Sequence, residues 1–390
     1  MSDASDAPDA PAWWPSATVA ALRAAQPHLR VHDAADTGSL PALAQALARG
    51  ELVAFPTETV YGLGARADDD AAVARIYAAK GRPPGHPLIV HVASPDGARA
   101  FIGDIPTATQ ARMQVLMQTF WPGPLTLVLP RRSGIAAAAA GGHDTIALRC
   151  PAHPLALALL QAAHACGVAG VAAPSANRFG HVSPTHAGHV ADEFGPIWTD
   201  SPPLHLLAGV GCDCAIGIES TIVDLSRDQP VLLRPGGVTR SALEHALGQR
   251  VAQRDAAAPR VSGDLASHYA PQAPLQILPK RELLARLGTP SPQAEPESLA
   301  LGTSDFAIYA QADVLQRLSQ QGIGPALMLV QPEDAPALAH ELFAALRHLD
   351  AALAESGGGC ILVQELPPGD DWDGVRDRLQ RAAAPRNPGH

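Results

Sequence analysis

The stretch KGRPPGHPLIVHV, Lys80 to Val92, sets two cations on a stiff turn just ahead of an apolar strand. Only two of the 28 basic residues are lysines, Lys80 and Lys280. Gly81 separates Lys80 from Arg82, and Pro83 and Pro84 fix the backbone, so both side chains can meet a polyanion with little loop entropy left to lose. At ~4 Å and an effective dielectric near 20, each charge pair is worth of order 4 kcal/mol before desolvation. The plain alternative is a solvated basic turn. For His91, inside an apolar strand, the plain alternative is a satisfied core histidine.

Four further segments carry the same kind of chemistry. FPTETVYGLGA, Phe55 to Ala65, places three hydroxyls (Thr57, Thr59, Tyr61), the carboxylate Glu58 and two glycines after a buried strand, where α/β proteins bind ligands. In TIALRCP, Arg149 closes an apolar strand and must find a partner or a cleft. VAAPSANRFGHVSPTHA ends a strand at Ala173 and continues through Ser175, Asn177, Arg178 and Ser183, the makings of a hydroxyl-rich phosphate cradle. GIESTIVDL opens a strand with Glu219, Ser220 and Thr221, and VLLRPGG ends one on Arg234. If these strand ends share an edge of one sheet, they converge on a basic, hydroxyl-lined cavity suited to a phosphate-bearing ligand.

The standard alternatives are missing from the sequence. Neither lysine is followed by Ser or Thr, so there is no GxxxxGK[ST] loop, and no GxGxxG opens a helix after the first strand. There is no HExxH, CxxC pair or GxSxG. His205, Cys212 and Cys214 form a CxC with a nearby His but lack a fourth zinc ligand, so no protein-held metal is expected.

The elements that must position these groups alternate in type. SLPALAQALARG is a helix with Ser39 as N-cap and Gly50 as stop, ELVAF a strand, and DDDAAVARIYAAK a helix with acids where the dipole favours them. PLIVHV, PLTLVLP, TIALR, VAGVAA, IESTIVDL and VLLRP read as strands. Helices fall at 107–120, in PLALALLQAAHACG, in THAGHVADEFG and in TRSALEHALG, the last with a capping box at Ser241 and Glu244. This alternation makes the class α/β. After the aperiodic stretch 251–273 the pattern restarts: PLQIL, a helix, SLALG, a helix, PALMLV, the long helix DAPALAHELFAALRHLDAALA, CILVQEL and a final helix. That reads as a small parallel-sheet domain. The proline-rich patch 287–297 reads as a loop.

Bulk properties agree. A chain of 390 residues, 47% hydrophobic and 17% charged, supports two cores. A formal net charge of -10 argues against non-specific coating of nucleic acid, though not against a local basic cleft. The five scattered cysteines suggest a reducing, cytoplasmic compartment. The acidic, proline-rich start MSDASDAPDAPAWWP is not a signal peptide, and no run approaches the ~20 apolar residues of a membrane span.

Taken together, FPTETVYGLG, KGRPPGHPLIVHV, FWPGPLTLVL, TIALRCP, APSANRFGHVSPT, GIESTIVDL and LLRPGG resemble, in order, the YrdC-like domain of L-threonylcarbamoyladenylate synthases. SHYAP and the second α/β domain resemble the two-domain branch of that family. The resemblance implies a YrdC-like twisted mixed-sheet domain over 33–250, after a flexible tail 1–32. A linker or lid over 251–273, a smaller Rossmann-like parallel-sheet domain over 274–384 and a tail 385–390 would follow. It implies that L-threonine, bicarbonate (or CO2) and ATP, with Mg²⁺, give threonylcarbamoyl-AMP and pyrophosphate. The product would go to a separate transferase complex that builds threonylcarbamoyladenosine on tRNA; weak RNA binding is compatible with such a cavity, and no membrane is involved.

By motif position, Thr59, His91, Arg149, Ala173 and Ser220 would hold threonine, with Arg149 on its carboxylate. Arg82, His86, Thr145, Ser175, Ser183, Arg234 and the linker Tyr269 would contact ATP, and Lys80 and Arg82 would serve catalysis. His86 stands where the family usually has Asn. Two rival readings are a carbamoyl-transfer enzyme of the same fold, whose acylphosphatase unit and zinc-finger cysteines this chain lacks, and a non-catalytic RNA-binding regulator, disfavoured by the -10 charge.

Overall fold

The computed structural model describes residues 18–198, 202–263, 265–287 and 305–385. Two compact units divide the chain: Met1–Phe179 with Ser183–Asp264, and Gly180–Val182 with Leu265–His390.

The first unit is built on β1 (Leu29–Asp33), β2 (Val53–Phe55), β3 (Gly62–Arg66), β4 (Ile89–His91), β5 (Leu125–Pro130), β6 (Thr145–Arg149), β7 (Val171–Ala172), β8 (Leu204–Ala208), β9 (Thr221–Asp224), β10 (Val231–Arg234) and β11 (Ala252–Gln253). They form one mixed sheet in the order β1-β8-β2-β3-β7-β4-β6-β5-β9-β10-β11. Most central strands are buried on both faces, so they read as continuous apolar runs rather than alternations. One face packs on the main core with the helices Ser39–Ala48, Asp70–Lys80 and Pro154–Ala165.

The helix Asp70–Lys80 shows how local sequence delivers a functional group. Asp69 caps it, its carboxylate accepting from the backbone N–H of Ala71 and Ala72. Gly81 stops it at φ 62°, a left-handed conformation that favours glycine. A Cβ there would meet nothing within 4 Å, so the dihedral, not crowding, requires the glycine. Lys80 is thereby the last helical residue, and it is buried.

Several expectations need correction. The flexible tail assigned to 1–32 does not hold over 18–32: Val19–Ala25 is a helix capped by Thr18, and β1 pairs parallel with β8 along five residues. Burial of Leu22, Leu29 and Val31 holds this segment, and the polar residues between them hid it. Gly38, not Ser39, precedes the first helix turn, without a side-chain cap. Thr239 caps Arg240–Leu247, while Glu244 accepts from Val251 N–H at 3.0 Å, so there is no capping box at Ser241. The second half of FPTETVYGLGA is β3, paired antiparallel with β2. β8 was also missed, though all five of its residues are buried. The linker does not begin at 251: β11 pairs with β10, and Val251 and Val261 are buried in the first unit.

The second unit contains β12 (Leu275–Leu278), β13 (Phe306–Ala310), β14 (Leu327–Val330) and β15 (Cys360–Gln364), all parallel, in the order β12-β15-β13-β14. This is the expected small parallel sheet, with the long helix Ala335–Glu355 packed beside it. Its second strand is FAIYA, buried at every position, within a stretch read as helix. SLALG, residues 1–17 and 386–390, and nearly all of the proline-rich patch lie outside the described residues.

Candidate active site

Strand register gathers the polar groups. His91 on β4 pairs with Arg149 on β6. Leu127 on β5 pairs with Leu148 on β6, which sets Thr126 opposite Arg149. Thr126 pairs with Ile222 on β9, and Ile222 with Arg234 on β10. Cross-strand neighbours point to the same face, so His91, Arg149, Thr126 and Ile222 form one row across four strands, and an irregularity between Leu232 and Arg234 brings Arg234 opposite Ile222 at its end. Ile222 also belongs, with Ile89, Ala147, Val128, Val231, Leu233 and Val261, to a small apolar cluster separate from the main core.

The ends of β4, β6 and β10 and the start of β9 therefore share one edge of the sheet, as expected. Ala173 does not join them. β7 runs antiparallel to β4, and the N–H of Ala173 donates to Ile89 O, at the other end of that strand. The loop 56–61 joins the two ends across the face. Thr57 Oγ1 donates to Val60 O at 2.7 Å and accepts from the N–H of Thr59 and Val60, folding the loop into a tight turn. That turn presents Glu58 and Thr59 to Arg149.

Arg149, only 3% exposed, donates through Nη1 to Thr59 Oγ1 at 2.8 Å and through Nε to Gly123 O at 3.3 Å. Its Nη2 lies 2.6 Å from Glu58 Oε1. Burial pushes the Glu58 carboxyl up, but the adjoining Arg149 guanidinium, its charge above all, and the backbone N–H groups of Ala152 and Glu58 outweigh it and hold the group below the usual range. His91, edge-on to Phe55, is buried and has no hydrogen-bond partner on Nδ1. Burial, then the Arg149 charge, lowers its pKa to about 3, so the imidazole is neutral at pH 7.

That shift has a sign. Between pH 6.5 and about 3 the unfolded chain binds a proton at this histidine that the folded chain does not, so stability falls as pH falls through that window. The penalty is of order 3–5 kcal/mol over the whole window. His91→Gln is expected to flatten the acid limb of stability against pH, measured by urea unfolding at pH 4 to 7. An unchanged limb would show that His91 is not the group responsible.

At the far end of the row, Ser220 Oγ and Thr126 Oγ1 are 2.8 Å apart. Arg234 donates to Ser220 O at 2.9 Å, Ser220 Oγ at 3.2 Å and Ser262 O at 2.8 Å. Gly236 permits this close approach: a Cβ there would lie 2.5 Å from Thr221 N and 2.6 Å from Glu219 O. Ser183 Oγ donates to Glu219 Oε1 at 2.5 Å. Lys80 Nζ donates to Ser175 O at 2.6 Å and also to Asn177 O. Burial, then the Arg82 charge, pushes the Lys80 pKa well down, against the pull of Glu193 and Glu219. Arg82 donates to Pro87 O at 3.0 Å and lies 5.5 Å over the Phe179 ring, which His86 meets edge-on. Thr145 opens β6, opposite Pro130. Tyr269 belongs to the second unit, at φ 60°, packed on Phe343 and under Arg378. His205 contacts Glu51 and His32, while Cys212 and Cys214 are buried, the Cys212 thiol pushed up to about 12 by burial.

Two groups at the centre of the row were not among the expected site residues. Thr126 is the lone hydroxyl inside LTLVLP, a signal available in the sequence. Glu58 was visible as the one carboxylate of its motif, but its contact with Arg149 is made across 90 residues and has no local signature.

Two family models and several known proteins match this chain. The Sua5/YciO/YrdC family, described as "Telomere recombination", matches residues 45–236. The family described as "Threonylcarbamoyl-AMP synthase, C-terminal domain" matches 238–384. A threonylcarbamoyl-AMP synthase of Pyrococcus abyssi is 35% identical over 86% of this chain and 92% of its own. One of Bacillus subtilis is 42% identical over 61% of this chain and 66% of its own. The crystal structure of P. abyssi Sua5 complexed with L-threonine superposes with a TM-score of 0.74 at 31% identity, covering 91% of this chain and 97% of that one. The fold and these likenesses define an enzyme of the nucleotidyltransferase class. The chain belongs to the threonylcarbamoyl-AMP synthase family, in its two-domain branch.

Proposed function

We propose that the first unit converts L-threonine, bicarbonate or CO2, and ATP into L-threonylcarbamoyl-AMP and pyrophosphate. The product would pass to a separate tRNA threonylcarbamoyl transferase complex in the cytoplasm. The observation that carries this reading is the polar row: a buried guanidinium, a neutral imidazole and paired hydroxyls on one sheet face, in a chain similar to relatives of that name.

In this reading Arg149 receives the threonine carboxylate, and Thr59, His91 and Ser220 surround the rest of the amino acid, with the backbone at Ala173 as a boundary. The neutral imidazole adds no positive charge beside the amine, which must release one proton to solvent before it bonds CO2 and a second as the carbamate forms. The carbamate oxygen then attacks the α-phosphorus, and pyrophosphate leaves. Lys80 and Arg82 stabilise charge on the transferring and leaving phosphates, while His86, Thr145, Ser175, Ser183 and Arg234 line the nucleotide's path. Burial of nearly every group in the row excludes water, which the carbamate requires.

Mg²⁺ would neutralise triphosphate charge and arrive with ATP. The residues present do not form a site of their own for it. Glu58 and Glu219 are engaged by Arg149 and Ser183, and among the described residues no group of three or more His, Cys, Asp or Glu is placed to hold a metal.

The test follows pyrophosphate from ATP while L-threonine and bicarbonate are withheld in turn. Release that needs both is the expected result. Release that needs carbamoyl phosphate instead, or none with either, overturns the reading.

A further inference from the structure

The ion pair at the centre of the row is close but badly aligned. Arg149 Nη2 and Glu58 Oε1 are 2.6 Å apart, and the backbone N–H groups of Ala152 and Glu58 also favour the carboxylate, yet none of these contacts on either Glu58 oxygen or on that nitrogen has the geometry of a well-directed hydrogen bond. Glu58 is 7% exposed, and both of its carboxylate oxygens are buried from bulk solvent. Buried polar atoms with unused capacity are costly, and native structures keep few of them without a reason. The backbone around Glu58 leaves little freedom to relax. Its carbonyl accepts from Ile216 N–H at 2.7 Å, and the Thr57 turn fixes the residues on either side. One cation and one anion are thus held side by side, each with directions to spare, next to the neutral His91.

A zwitterion has the complementary pattern. We infer that Glu58 is a substrate-binding residue for the α-ammonium of the incoming amino acid, working beside Arg149, which takes its carboxylate. This inference rests on the reading that the site binds L-threonine. In the empty site Glu58 stands in for the substrate carboxylate and keeps the buried guanidinium paired. When the amino acid enters, its carboxylate takes the free Nη2 direction, and its ammonium takes a Glu58 oxygen. Net charge at the site is unchanged, because a zwitterion joins an ion pair, so no uncompensated charge is buried at any stage. The arrangement also selects for α-amino acids over hydroxy acids of the same shape, since a hydroxyl cannot replace the ammonium's charge on Glu58.

Three ligands separate the contributions: L-threonine, L-threoninol (no carboxylate) and the 2,3-dihydroxybutyric acid of matching shape (no ammonium). Calorimetric titration of the full chain in the presence of ATP is expected to show the dihydroxy acid binding at least about 10-fold more weakly than L-threonine to the unaltered protein. Glu58→Gln, nearly equal in size, is expected to lose about 10- to 100-fold in affinity for L-threonine and threoninol and less than about 3-fold for the dihydroxy acid. If Glu58 serves only to hold Arg149, the variant loses L-threonine and the dihydroxy acid alike, and the inference falls. If the variant does not fold, the unaltered protein still decides: equal affinity for L-threonine and the dihydroxy acid overturns the role. No L-threonine binding by the unaltered protein would instead overturn the proposed function.

Discussion

Arg149→Ala is expected to raise the L-threonine requirement about 100-fold while leaving the ATP requirement within about 3-fold, because a lost hydrogen bond between two charged groups costs roughly 1.5–3 kcal/mol and this residue makes more than one. The side chain donates to Thr59 Oγ1 and Gly123 O and sits on Glu58, all on the amino-acid side of the row. The variant also leaves Glu58 buried without its counter-charge, a change worth roughly 3–5 kcal/mol of stability at neutral pH. Acid relieves that penalty. Without Arg149, burial, the largest influence on Glu58, is opposed only by the backbone N–H groups of Ala152 and Glu58, and the folded pKa is expected to rise above the unfolded one. The folded variant then binds the extra proton, so its stability falls as pH rises through the raised value. Relative to the parent, Arg149→Ala should be less destabilised at pH 5 than at pH 8. Steady-state pyrophosphate assays with each substrate varied, and urea unfolding at the two pH values, check both statements. Equal rises in both substrate requirements would remove Arg149 from the amino-acid site.

The part of this site that was legible in the sequence was its chemistry; the part that was not was its geometry. Arg149 and Arg234 announced themselves because a charge ending an apolar strand needs a partner, and both proved buried and bonded. The motif around Lys80 was legible because glycine and two prolines stiffen a turn that carries two cations, and the alternation of apolar strands with helices set the α/β class. Whether strand ends meet depends on strand order and direction, which local pattern does not encode. Hence β4, β6, β9 and β10 deliver their groups to one edge, while Ala173 belongs to the other because β7 runs against β4. The edge strand β1 was lost because Arg30, His32 and Asp33 interrupt its apolar positions, and its stability comes from pairing with β8, which lies more than 170 residues away in sequence. FAIYA was lost for the opposite reason: a short, wholly buried run has no period to read.

Lys80→Met is expected to lower kcat at least about 100-fold with the L-threonine requirement within about 3-fold, since removing one preorganised donor at a developing charge typically costs that much. Methionine keeps the length and apolar stem of the side chain and removes only its amine. Two consequences must be told apart. Nζ donates to Ser175 O and Asn177 O, and the backbone carbonyl of Lys80 accepts from Phe179 N–H at 2.8 Å, so this residue also ties down the loop that carries Ser175. A lysine that acts only as a tether would cost stability and loosen ATP binding while leaving kcat within about 3-fold of the parent at saturating ATP, an outcome that would remove Lys80 from the chemistry. Its proton separates the two roles again. Burial and the Arg82 charge favour the neutral amine in the empty site. An incoming triphosphate reverses that balance and favours the ammonium, so ATP binding should draw a proton from solvent above the empty site's lowered pKa. Titration of ATP in two buffers of different ionisation enthalpy measures that uptake directly. The parent should take up a proton and Lys80→Met should not, because a thioether has none to accept.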